Sequence, residues 1–93
     1  MRRIELTSRF KRDLKRESRG QHRKLFPDEF DKLVQLLCSD TELPVAFRDH
    51  ALTGEWSDHR DCHVKPDLVL IYRRPTDDIL QLVRLGSHSE LGF

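Results

Sequence analysis

Leu68-Val69-Leu70-Ile71-Tyr72 is an unbroken apolar stretch, and it reads as the central strand of a sheet. Tight-turn signals bound it on both sides. Lys65-Pro66-Asp67 precedes it and Pro75-Thr76-Asp77-Asp78 comes within a few residues after it. Beyond those turns lie two more strand-like runs, so the set is Glu55 to Val64, Leu68 to Arg73 and Ile79 to Leu85. Links this short allow only antiparallel neighbours, which predicts a three-stranded meander.

Upstream the period changes. Arg2-Arg3-Ile4-Glu5-Leu6-Thr7 alternates and suits a short first strand. Thr7 or Ser8 can cap the next element by accepting a bond from an orphan N–H. Phe10 and Leu14 then sit four apart among Arg9, Lys11, Arg12, Lys15 and Arg16, the pattern of an amphipathic helix with a basic outer face. Ser18-Arg19-Gly20 closes it. Pro27 suits a first helical position, Asp28 and Glu29 suit the positive end of a helix dipole, and Phe30, Leu33, Val34 and Leu37 come next at helical spacing. A second helix is expected over residues 27–38, then a long connection over 40–54. Strand, helix, helix and meander make an α+β domain, with both helices on one face of an antiparallel sheet and a core of Phe30, Leu33, Val34, Leu37, Trp56, Leu70 and Tyr72.

Ninety-three residues are enough for one domain, here 1–93. No apolar run approaches the roughly 18–20 residues that span a bilayer. The two cysteines, Cys38 and Cys62, are too few for a disulfide scaffold, so a reduced, cytoplasmic setting is expected. The net charge of +1 conceals a division. Residues 1–24 carry ten Lys/Arg against three Asp/Glu, a balance of +7, and the remainder carries −6. Such a block is either a handle for phosphate or a solvated helix face.

Four of the five histidines, His50, His59, His63 and His88, lie in the second half of the chain. Imidazole, with a reference pKa of about 6.5, is the side chain best suited to proton transfer near neutrality. His50 lies in the connection before the meander, His63 at a strand end beside the turn carrying Asp67, and His88 just past the last strand. Functional groups collect at such strand ends. A metal site is not expected. On a strand, His59 and His63 stand about 13 Å apart at ~3.3 Å per residue, and Cys62 and His63 point to opposite faces. Cys38 and Cys62 read as core rather than as nucleophiles.

Three segments together carry a resemblance. They are Asp49-His50-Ala51-Leu52-Thr53-Gly54-Glu55-Trp56, Arg60-Asp61-Cys62-His63-Val64-Lys65-Pro66-Asp67 running into Leu70-Ile71-Tyr72, and Gly86-Ser87-His88. In this order and spacing they resemble the RelE/ParE toxin superfamily, in particular its YafQ-type branch. The resemblance covers nearly the whole chain. It implies a RelE-like fold and an mRNA endoribonuclease, the toxin of a type II toxin–antitoxin pair, which cuts mRNA in the ribosomal A site without metal or other cofactor. It implies a cognate antitoxin, a heterotetramer or larger complex with it, and the ribosome and mRNA as further partners, with no membrane association.

Carried over residue by residue, the branch's catalytic set falls on His50, His63, Asp67 and His88. His50 is then the candidate base and His88 the candidate acid, with His63 on the phosphate. Asp67 either holds a histidine tautomer or contacts the ribose. Arg60 and Arg84 are candidate phosphate clamps, because guanidinium forks match phosphate oxygens; for Arg84 the other reading is an ion pair with an acidic residue. A regularly continued last strand would project Arg84 and His88 from one face. Arg12, Lys15 and Arg16 are candidates for docking on RNA, and Phe93 for stacking on a base. Gly92 displaces Phe93 by one residue from the family pattern, and Leu68 stands where relatives often have Trp. The alternatives from other classes are a gyrase-directed, ParE-like toxin and a non-catalytic nucleic-acid-binding module.

Overall fold

The computed structural model describes residues 1–92. β1 (Arg3–Leu6) leads into α1 (Ser8–Glu17), then α2 (Asp28–Cys38), a two-residue strand β2 (His50–Ala51), the meander β3 (Arg60–Lys65), β4 (Leu68–Thr76) and β5 (Ile79–Gly86), and a one-turn helix α3 (His88–Leu91). The five strands form one sheet in the order β1-β5-β4-β3-β2. The architecture is α+β and RelE-like, with β4 at its centre.

The local rules explain most boundaries. Thr7 caps α1: its Oγ1 accepts from the Phe10 N–H at 3.0 Å, while its hydroxyl donates to the Val83 carbonyl at 2.7 Å and pins the helix start to β5. Asp28, Glu29 and Asp31 fill the first turn of α2, and Pro27 stands one position before the helix rather than in it. Phe10, Phe30, Leu33, Val34 and Leu37 from the two helices meet Cys62, Leu68, Leu70, Tyr72, Leu80, Leu82 and Leu85 from the sheet in the main core. Val69 and Ile71 point to the opposite face and pack with Leu91, Leu52, Trp56 and Val83. All five residues from Leu68 to Tyr72 are fully buried, which is why the run lacks the alternation of a one-sided strand.

Four expectations change. The sheet is mixed, because β1 runs parallel to β5, with Arg3 opposite Ile79 and Leu6 opposite Leu82. Short turns dictate the sense of the meander, but nearly the whole chain separates β1 from β5, so no turn dictates theirs. The connection over 40–54 holds β2, which is too short to show a period. The first meander strand begins at Arg60, not Glu55, because Gly54–Trp56 is a single 3₁₀ turn and Gly54 and Asp58 have φ of 66° and 70°. Trp56 therefore leaves the helix-facing core and packs over Ile71 and Val69 instead.

Candidate active site

The site lies on the sheet face opposite α1 and α2. Asp61 and His63 are two apart on β3 and share that face, while Cys62 and Val64 enter the main core. His50 on β2 stands directly across from Asp61, and His63 stands across from Val69. The turn after β3 carries Asp67, and α3 brings His88 over the sheet end. His63 and His88 meet there, with ring centroids 5.2 Å apart and planes tilted by 56°.

Asp49, the residue before His50, anchors the approach to β2. The buried Tyr72 hydroxyl donates to Asp49 Oδ1, and Arg60 Nε donates to the same atom at 3.3 Å. His50 Nδ1 lies 2.8 Å from the Arg48 carbonyl oxygen. A carbonyl can only accept, so Nδ1 carries the hydrogen and Nε2 is left as the lone-pair nitrogen of neutral imidazole. The same Nδ1 is 3.0 Å from Asp61 Oδ1, an ion-pair contact without hydrogen-bond alignment.

His88 is held on two sides by Asp67. Its Nδ1 lies 3.1 Å from Asp67 Oδ1, and its backbone N–H donates to that oxygen at 3.4 Å. These hydrogen bonds hold the exposed Asp67 carboxyl below its ordinary value. Asp61 behaves oppositely. It is 4% exposed, and burial pushes its carboxyl up, opposed by the nearby His50, His63 and His88. Asp61 is a site residue that sequence reasoning missed. The available signal was its spacing, two residues before His63 on a strand, which puts both on one face.

His50, His63, Asp67 and His88 thus lie along one sheet face, and His63, Asp67 and His88 cluster at its end. The arginines are arranged differently. Arg60 is engaged by Asp49. Arg84 donates through Nε and Nη2 to the two oxygens of Asp13 on α1, at 2.7 and 3.3 Å, so the ion-pair reading of Arg84 is the one realised. β5 carries an extra residue between Leu82 and Arg84 relative to β4, and His88 already belongs to α3, so regular projection of Arg84 and His88 from one face does not hold. Arg12 and Lys15 are exposed, whereas the Arg16 guanidinium is engaged by Asp13, Glu17 and Glu90. Phe93 lies outside the described residues. Both cysteines are free and buried, and burial raises both thiols, so neither is poised as a nucleophile. Among the described residues no group of three or more His, Cys, Asp or Glu side chains is placed to hold a metal ion.

Comparison with known proteins finds relatives over nearly the whole chain. The family described as "Bacterial toxin of type II toxin-antitoxin system, YafQ" matches residues 2–92. The mRNA interferase toxin YafQ of Escherichia coli K12 is 37% identical over 89 residues, covering 95% of this chain and 92% of that protein. A metal-bound toxin from Helicobacter pylori superposes with a TM-score of 0.82 at 42% identity, covering 98% of this chain and 99% of the other. The E. coli DinJ–YafQ toxin–antitoxin complex gives a TM-score of 0.81 at 35% identity, covering 97% and 96%. The motifs, the five-stranded mixed sheet and these matches all lead to one assignment: the chain belongs to the YafQ family of bacterial toxins of type II toxin–antitoxin systems.

Proposed function

We propose that this chain is an endoribonuclease that cleaves ribosome-bound mRNA by acid–base transesterification, with no metal in the chemical step. The observation that carries the reading is the pairing of His63 and His88 at 5.2 Å, with Asp67 fixing His88 through Nδ1. In the reaction the ribose 2′-oxygen attacks phosphorus, the new O–P bond forms, and the bond to the 5′-oxygen breaks. His50 takes the 2′-OH proton on its free Nε2, and His88 gives a proton from Nε2 to the leaving 5′-oxygen. The supporting asymmetry is electrostatic. His88 has an exposed carboxylate, cheap to keep charged, beside its imidazolium, whereas His50 has the buried Asp61, which is costlier to charge. His63 contacts the phosphate.

The ribosome enters because the sequence carries no base-reading motif. Holding the message in line for attack then falls to the A site. A chain that acts on translating ribosomes is expected in the cytoplasm. None of its described helices is long and apolar enough to cross a membrane. An antitoxin partner is supported by the E. coli relative seen in complex with DinJ; we expect a heterotetramer or larger assembly with it.

The deciding experiment maps the ends of mRNA cut in a purified translation system. The products should carry a 2′,3′-cyclic phosphate, or the 3′-phosphate from its opening, and a 5′-OH. His88→Ala should slow cleavage by roughly 10²–10⁴, the share of one general acid. Cleavage of a message held on pre-formed ribosomes should survive chelation of trace transition metals with magnesium retained. A 5′-phosphate product, or full activity in His88→Ala, would overturn the mechanism and favour a gyrase-directed or non-catalytic nucleic-acid-binding role.

A further inference from the structure

The segment Gly86-Ser87-His88 contains one proposed catalytic group, and its neighbours explain the other two positions. α3 is a single turn, too short to hold itself together. It is closed by a capping box. The Ser87 N–H donates to Glu90 Oε1 at 2.9 Å, and the Glu90 N–H donates to Ser87 Oγ at 3.1 Å. The other Glu90 oxygen, Oε2, lies 3.0 Å from Arg16 Nε of α1. Arg16 is itself fixed. Its Nη1 donates to the buried Asp13 at 3.0 Å, its Nη2 to the Leu85 carbonyl at 2.7 Å, and its Nε to Glu17 at 2.9 Å. A helix that would fray in isolation is thereby clamped to α1 and to the end of β5.

Gly86 is the independent sign that this clamp is built. A Cβ there would stand 2.8 Å from Arg16 Nη2, 3.2 Å from Glu90 Oε1 and 3.3 Å from Glu90 Cβ. Gly86 has no left-handed φ to account for it. What it supplies is room for Arg16 and Glu90 to meet across the backbone. The Glu90 carboxyl is held below its ordinary value, first by the Ser87 backbone hydrogen bond and also by Arg16.

We propose that Glu90 and Arg16, meeting over Gly86, are positioning residues that lock α3 and so hold His88 against Asp67. His88 is the first residue of the locked turn, and it faces Asp67 from the β3–β4 turn, His63 from β3 and, farther off, the buried Asp61. With the lock open, the imidazole loses a fixed distance to Asp67 and to the phosphate. Misplacement on the order of 1 Å is enough to cost about a hundredfold in rate.

The kinetic consequence rests on His88 acting as the acid; the structural one does not, and the test reads both. In the full chain, Glu90→Ala and Gly86→Ala should lower kcat on ribosome-bound mRNA by roughly 10- to 100-fold with KM little changed. In the same variants the Asp67 carboxyl, tracked by carbon-detected NMR, should titrate higher than in the parent, because the His88 hydrogen bonds that depress it are lost. Glu90→Gln keeps an acceptor for the Ser87 N–H and should fall between parent and Glu90→Ala in both readouts. Should Glu90→Ala fail to fold, Glu90→Gln and Gly86→Ala are each read against the parent. A raised Asp67 midpoint with unchanged kcat supports the lock and overturns the role of His88 as the acid. Folded Glu90→Ala and Gly86→Ala proteins with an unmoved Asp67 midpoint would overturn the lock itself.

Discussion

His50 and His88 are oriented by the same device with different consequences. Each has Nδ1 against an oxygen that can only accept, a backbone carbonyl for His50 and a carboxylate for His88. Each therefore turns Nε2 outward toward a substrate. The two rings differ in the carboxylate beside them, buried Asp61 for His50 and exposed Asp67 for His88, and the Asp67 contact can be titrated from its other side. Asp67 is held low by His88, so in His88→Ala its midpoint should rise toward the ordinary value of about 3.9. Because the folded value is the depressed one, the pairing is present above the ordinary range and is lost as pH falls through the folded value. An NMR titration showing one Asp67 midpoint in both proteins would remove the contact. That histidines and an aspartate gather near strand ends was legible in the sequence. Asp61 was legible only as a residue on the same strand face as His63; its burial and its cross-strand partner His50 are visible only in the fold. Asp49 belongs to a motif, but its reason for being there, the bonds from Tyr72 and Arg60, is visible only in three dimensions.

At the scale of elements, the meander was legible because short turns and an unbroken apolar run are strong local constraints. What escaped was non-local: the parallel partner of β5, the two-residue β2, and the bulge that sends Arg84 to α1. Asp13 is the clearest case. It reads as one acid within a basic helix, yet it is 3% exposed and accepts from Arg84, Arg16 and the Leu85 N–H. Burial alone would push its carboxyl up, but those bonds and charges outweigh it and hold the value down. Asp13→Asn should therefore destabilise the fold by about 3 kcal/mol, the typical loss when one partner of a buried pair is removed. The wild-type contribution is present above the unfolded carboxylate range and lost as pH falls through the folded value, so the gap between the two proteins should narrow on acidification. Leu70→Ala, in the fully buried strand, should cost about 2–5 kcal/mol at any pH. Denaturant unfolding at pH 7 and pH 3 separates these cases, and a gap for Asp13→Asn that does not change with pH would contradict the assignment.

Over the whole molecule, chemistry and charge occupy different regions. His50, His63 and His88 lie on one sheet face, α1 packs against the other, and the first 24 residues hold a balance of +7 while the rest carries −6. Part of that basic charge is structural: Arg2 pairs with Asp40, and Arg16 belongs to the clamp on α3. Arg9, Lys11, Arg12, Lys15 and Arg19 are exposed, and among the described residues none of them makes an ion pair. A basic row separate from the reacting groups can act on encounter without touching the transition state, by raising the local concentration of a polyanion. Reversing two of its charges, in Arg12→Glu with Lys15→Glu, should raise KM for ribosome-bound mRNA by roughly tenfold at low salt, leave the rate at saturation where it was, and flatten the salt dependence of KM. The mutant and parent should converge as ionic strength climbs, because the screening length contracts from about 10 Å at 0.1 M to about 3 Å at 1 M. The same row should speed association with an acidic antitoxin segment, with the same loss in salt. A KM indifferent both to salt and to the double substitution would leave α1 as a solvated helix face and assign recognition of the ribosome to the histidine face itself.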